Sequence, residues 1–139
     1  MATRITPYIR FDGNCAEAMK FYKNCFGGDL TVTTVAESPM AGKLPGVDPT
    51  QVFHASLRSG SIEILGSDMA PDGVTKGNTQ VLALQCASEQ EVRNYFSKLS
   101  AGGEIVYPVD KAAWGGLYGQ VVDKFGNDWM LTYMEAPRQ

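Results

Sequence analysis

The stretch from Trp114 to Trp129, WGGLYGQVVDKFGNDW, constrains this chain most. A glycine-punctuated loop leads into a strand from Tyr118 to Asp123, a tight Asp123-Lys124-Phe125-Gly126 turn and a second strand, which together read as a β-hairpin with aromatic residues at both ends. Residues 53–65, FHASLRSGSIEIL, echo it, with Gly60 falling 66 residues before Gly126. The helical segments echo each other too. Setting Phe21 against Phe96 brings Gly28 onto Gly103, both at an offset of 75, and Asp29-Leu30 then meets Glu104-Ile105. A chain of 139 residues is therefore expected to be one domain built twice, with modules at about 4–66 and 79–135.

Each module reads as β-α-β-β-β. Ile5 to Phe11 alternates, with Ile5, Pro7, Ile9 and Phe11 on one face and Thr6, Tyr8 and Arg10 on the other. Asn14 and Glu17 have capping-box spacing ahead of a helix whose broad apolar face comprises Ala16, Ala18, Met19, Phe21, Tyr22, Cys25 and Phe26, and Gly27-Gly28 ends it. Asp29 to Glu37 reads as a strand. The loop from Ser38 to Thr50, with three Pro and two Gly, is long enough for a pocket rim or lid and equally suits a surface excursion. Strands at Val52–Arg58 and Ser61–Leu65 complete the first module. The second opens with a strand at 80–86, continues with a helix behind the Ser88-x-x-Glu91 capping box, and ends with a strand near Glu104–Pro108 and the hairpin. The class is α+β.

Composition narrows the partners. A net charge of −3 with no basic stripe argues against nucleic acid. No apolar run approaches the ~18 residues of a membrane span, and the chain begins almost at once with a strand, leaving no room for a secretory leader. Cys15, Cys25 and Cys86 form no CxxC pair, and an odd count suits a reducing compartment, so a cytoplasmic protein with small core cysteines is expected.

PYIRFDGNCAEAMKFYKNCFGG, FHASLRSGSIEILGSD and WGGLYGQVVDKFGNDW together resemble a PhnB-like protein of the vicinal oxygen chelate superfamily, which also contains glyoxalase I, bleomycin-resistance proteins and extradiol dioxygenases. The resemblance spans nearly the whole chain. It implies a homodimer of paired βαβββ modules whose curved mixed sheets form a cup, and enzymatic relatives hold a divalent metal there. Some PhnB-like chains carry names suggesting a demethylubiquinone methyltransferase, but this sequence has no glycine-rich turn opening a nucleotide-binding βαβ unit.

Alternation sorts side chains between helix and cup. Thr6, Tyr8, Arg10, His54, Ser56, Arg58 and Glu63 fall on the cup side of the first module, and Val81, Ala83, Gln85, Gln120, Val122 and Met130 on that of the second. The metal pattern that the resemblance implies, a His from each module's first strand and a Glu from each last strand, carries over to Tyr8, to Ala83 or Val81, and to Glu63 and Met130. Only Glu63 is an ordinary ligand, so no metal is expected; the alternative is a divalent ion held by His54, Glu63 and Gln120.

His54, the single histidine, and Glu63 are the acid-base candidates. Against this, His54 suits a plain hydrogen-bonded strand residue, and Glu63 an ion pair with Arg58 or Arg10. Asp68 either lines the mouth or caps a turn. Trp114 and Tyr118 either present rings to a ligand or pack a dimer interface. The expected pocket takes a small planar or anionic molecule through Tyr8, Arg10, Arg58, Trp114, Tyr118, Gln120 and Met130. A metal-dependent lyase, isomerase or dioxygenase and a non-catalytic interaction protein are the alternatives.

Overall fold

The computed structural model describes residues 3–135, which divide into two compact units between Thr75 and Lys76. The first contains β1 (Tyr8–Arg10), α1 (Cys15–Phe26), β2 (Asp29–Thr34), β3 (Val52–Ser59) and β4 (Ile62–Ser67). The second contains β5 (Leu82–Gln85), α2 (Glu89–Ser100), β6 (Glu104–Lys111), β7 (Gly116–Val122) and β8 (Asp128–Met134). The sheets have strand orders β1-β4-β3-β2 and β5-β8-β7-β6, with the first and last strands of each module parallel and the other pairs antiparallel. Each unit is thus one βαβββ module, with the crossover from first to last strand needed for a parallel pair.

Each helix covers one face of its sheet. Met19, Tyr22, Cys25 and Phe26 of α1 are buried with Phe11, Ala55, Leu57 and Ile64; Val92, Phe96 and Leu99 of α2 are buried with Leu117, Val121, Trp129 and Leu131. Burying side chains of this size contributes ~1.5–3 kcal/mol each. Gly66 lies under α1, where a Cβ would stand 3.2 Å from Cys15 Sγ and Met19 Sδ; one at Gly119 would stand 2.9 Å from Phe96 Cε2. These contacts fix which face of each sheet meets its helix.

The repeat is exact in its close approaches. A Cβ at Gly28 would lie 2.1 Å from the Arg58 carbonyl oxygen, and one at Gly103 would lie 2.2 Å from that of Val122, so glycine is required where each helix hands over to its second strand. The pairs Asp29 with Arg58 and Glu104 with Val122 then begin equivalent ladders.

Three expectations change. Asn14 makes no side-chain cap to α1; the cap comes from Asp68, 53 residues away, whose Oδ1 accepts from the Cys15 N–H at 3.0 Å. Ser88 does cap α2, accepting from the Glu91 N–H at 3.1 Å, while Glu91 Oε1 accepts from the Ala87 N–H at 2.9 Å, one residue ahead of the usual reciprocal donor. Ile5 is 98% exposed and belongs to no strand, because the parallel pairing of β1 begins only at Tyr8 with Leu65.

The third change concerns the match between modules. Arg58 pairs with Glu63 and Val122 with Asp128, whereas Ser56 pairs with Leu65 and Gln120 with Met130. The counterpart of Glu63 is therefore Asp128, that of Met130 is Leu65, and Trp129 answers to Ile64. Matching Gly60 to Gly126 misleads because Gly60 opens a two-residue turn while Gly126 closes a longer one, between Asp123 and Asn127. The resulting slip is two residues, so every side chain stays on its assigned face.

Candidate functional site

The open face of the first sheet carries Tyr8 and Arg10 from β1, Thr31 and Thr33 from β2, His54, Ser56 and Arg58 from β3, and Glu63 and Leu65 from β4. Period-two alternation puts them there, opposite the positions seated on α1. The structure brings together two groups of the expected residues on this face.

At one end, Glu63 is held between two guanidinium groups. Arg58 Nε donates to its Oε2 at 2.9 Å, and Arg4 Nη2 lies 2.7 Å from its Oε1. The Glu63 side chain is 14% exposed and the two arginines about two-thirds exposed. Arg4, which alternation along the strand cannot place, supplies the contact considered for Arg10. Both oxygens of this carboxylate are thus engaged by guanidinium groups.

At the other end, the rings of Tyr8 and His54 stand 6.0 Å apart and tilted by 39°. Arg10 pairs with Ser67 on β4 and stands two positions along β1 from Tyr8, on the same face. Arg10 has no ion pair among the described residues. His54 and Glu63 do not meet: four residues along β3 separate His54 from Arg58, Glu63's partner, or about 13 Å at the strand rise.

The open face of the second sheet carries Ala83 and Gln85, Tyr107, Tyr118, Gln120 and Val122, and Asp128, Met130 and Thr132. Tyr118 Oη donates to Gln120 Oε1 at 3.1 Å, and Gln120 Nε2 donates to Asp128 Oδ1 at 3.1 Å. The Trp114 ring stands 6.2 Å from that of Tyr118 at 89°, and Tyr107 adds a third ring 6.2 Å from Tyr118. Sequence reasoning missed Tyr107 and Asp128. Tyr107 lies just before Pro108 in a strand whose irregular pairing defeats simple alternation, and Asp128 was hidden by the two-residue slip.

Two other acids named by the sequence are structural. Asp68 is buried, and its Oδ2 accepts from the Val52 N–H at 2.9 Å while Oδ1 caps α1. Asp123, 2% exposed, accepts from the Phe125 and Asn127 amides and from the Trp129 indole N–H at 2.8 Å. The Cys15 thiol is pushed up to about 12, first by burial and then by the charge of Asp68, and the Cys86 thiol to about 11 by burial and Glu91. Neither is a reactive thiolate near neutral pH. A groove of about 290 Å3 opens beside the start of α2, lined by Glu89, Arg93, Lys111 and Glu135 among others, and includes none of the expected ligand-binding residues.

The register also tests a metal site. The first- and last-strand positions that pair side by side are Tyr8 with Leu65 and Ala83 with Met130, which offer a phenol and a thioether. Glu63 stands one face position beyond, already matched by Arg58 and Arg4. Among the described residues no three His, Cys, Asp or Glu side chains converge. This donor set does not fit a divalent ion, which wants several nitrogen or oxygen ligands.

Fold and sequence define the class: residues 4–131 match the glyoxalase/bleomycin resistance protein/dioxygenase superfamily, and the chain belongs to it. Within it, the chain is similar to PhnB-like proteins. It is 27% identical to Protein YjdN of Escherichia coli K12, over 94% of this chain and 95% of that protein. The solved structure of PA1353 from Pseudomonas aeruginosa has a TM-score of 0.85 at 29% identity, covering 97% of this chain and all of that one. A PhnB protein from Bacillus cereus described as a putative 3-demethylubiquinone-9 3-methyltransferase has a TM-score of 0.74 at 27% identity, over 94% and 99%. No helix among the described residues is long and apolar enough to cross a membrane.

Proposed function

We propose that this chain binds small organic molecules, planar or anionic, on the open face of each sheet taken by itself, without a resident metal. The observation that carries this reading is Arg10, a guanidinium with no ion pair among the described residues, on the same face as the Tyr8 and His54 rings. A guanidinium grips a carboxylate or phosphate through two parallel hydrogen bonds, and the neighbouring rings supply apolar contact. Trp114, Tyr118, Gln120 and Met130 offer stacking and polar contacts on the second face.

Binding fits the side chains better than turnover. Both Glu63 oxygens are occupied by Arg4 and Arg58, which leaves His54 as the acid-base candidate not held in an ion pair, and the ligand set at Tyr8, Leu65, Ala83 and Met130 offers no Lewis acid a seat. A second copy of the chain, paired symmetrically, completes the cup in this reading. The name of the Bacillus cereus protein supports no transfer of a methyl group here, since no glycine-rich nucleotide turn is present.

Thermal shift with a panel of aromatic carboxylates and their uncharged amides tests the reading. Carboxylates should stabilise the wild type and lose at least about tenfold in affinity on Arg10→Ala, a charge-assisted bidentate contact being worth ~1.5–3 kcal/mol. Stabilisation by the amides equal to that by the acids, or unchanged in Arg10→Ala, would place the ligand elsewhere.

A further inference from the structure

The second open face differs from the first in charge. Its register positions are Ala83 and Gln85; Glu104, Tyr107 and Asp110; Gly116, Tyr118, Gln120 and Val122; and Asp128, Met130, Thr132 and Met134. No Lys or Arg is among them, whereas the first face holds Arg10 and Arg58, with Arg4 reaching onto it. Three of the positions are acidic.

Three rings form a corner on this acidic face. Trp114 stands perpendicular to Tyr118, and Tyr107 flanks Tyr118 from β6. The corner is exposed: Trp114 at 43% and Tyr107 at 56%, while the other tryptophan, Trp129, is 3% exposed against α2's side of the sheet. It is also built in advance of any ligand. A turn closed by the Gly115 N–H to the Ala112 carbonyl at 3.1 Å, itself tied down by the Glu135 N–H to the Gly115 carbonyl at 3.1 Å, presents Trp114. Tyr118 is fixed by its donation to Gln120, whose amide is in turn oriented by Asp128.

We infer that the Tyr107-Trp114-Tyr118 corner is a subsite for an organic cation, a quaternary or protonated amine. Ring faces carry negative partial charge, and two rings at right angles with a third beside them can contact such a group from several sides. Donation by Tyr118 Oη places electron density on the ring through its acceptor Gln120, and Asp128 adds a full negative charge beyond it. An anion meets none of the cationic partners here that Arg10 supplies on the first face. The inference deepens the reading that the open faces bind small molecules, and assigns the charge class that this one takes.

The test is titration of the full chain with choline and with its uncharged isostere, in which carbon replaces the quaternary nitrogen, followed through the indole N–H signals of Trp114 and Trp129. Choline should shift Trp114 and leave Trp129 unmoved, with an affinity roughly two- to fivefold above that of the isostere, as for a cation against exposed rings. Trp114→Leu, at an exposed turn, should abolish the preference while leaving the fold intact by circular dichroism. Tyr118→Phe, which keeps the ring and cuts its bond to Gln120, should retain part of it. Equal binding of the isostere, no binding of choline, or an unaltered preference in Trp114→Leu would overturn the inference. If choline fails while aromatic carboxylates still bind through Arg10, only the cation subsite falls; if neither binds, the small-molecule reading falls with it.

Discussion

The carboxylate of Asp68 holds the first amide of α1, 53 residues away in sequence: Oδ1 accepts from Cys15 N–H at 3.0 Å, and Oδ2 accepts from Val52 N–H at 2.9 Å, where β3 begins. One buried side chain thereby satisfies two backbone donors on different elements and places negative charge at a helix N-terminus. Asn14, the local candidate, makes no such bond.

Asp68→Ala should therefore cost ~2–4 kcal/mol in urea unfolding, since it strands two buried N–H groups. Asn14→Ala should stay within about 0.5 kcal/mol. The reverse ordering would mean that α1 is capped from its own sequence.

Gly119→Ala should destabilise by ~1–3 kcal/mol, because its Cβ would stand 2.9 Å from Phe96 Cε2 and 3.0 Å from Val109 Cγ2, and a packed core yields only by moving side chains off their preferred rotamers. Adding Phe96→Leu should recover part of the loss. Independent, additive effects in the double variant would show that helix and sheet do not meet at this point.

Sheet faces were legible in the sequence and contact partners were not, for one physical reason. A strand's period of two survives an error of two residues, so Tyr8, Arg58, Glu63, Gln120 and Met130 all lie on their expected faces although Glu63 and Met130 are not counterparts. Caps and ion pairs carry no such tolerance. Asp68 reaches Cys15 across the fold, and Arg4 reaches Glu63 from outside any strand, so neither partnership leaves a spacing to read. Ser88 and Glu91 were readable because the helix itself sets their three-residue separation. Tyr107 escaped because bulges break the alternation of β6.

A double-mutant cycle on Arg58→Ala and Glu63→Ala should return a coupling of only ~0.5–1 kcal/mol. The geometry is good, at 2.9 Å, but the Arg58 side chain is 65% exposed and Arg4 remains to hold the carboxylate. A coupling above ~2 kcal/mol would show that the three groups act as one desolvated network.

Alkaline pH should weaken the fold through Cys15. Its thiol lies at 9.0 unperturbed and at about 12 in the folded chain, raised by burial and then by Asp68. Below pH 9 the thiol is protonated in both states and contributes no pH dependence. Between pH 9 and 12 the unfolded chain gives up a proton that the folded chain keeps, so unfolding is favoured progressively, by at most ~1.4 kcal/mol per pH unit from this group. Cys15→Ala should be less stable than wild type near neutral pH, having lost a buried sulfur, yet lose less further stability across that window. Urea midpoints for both chains on either side of pH 9 make the comparison. Parallel pH profiles would show that the Cys15 thiol is not held protonated by the folded core.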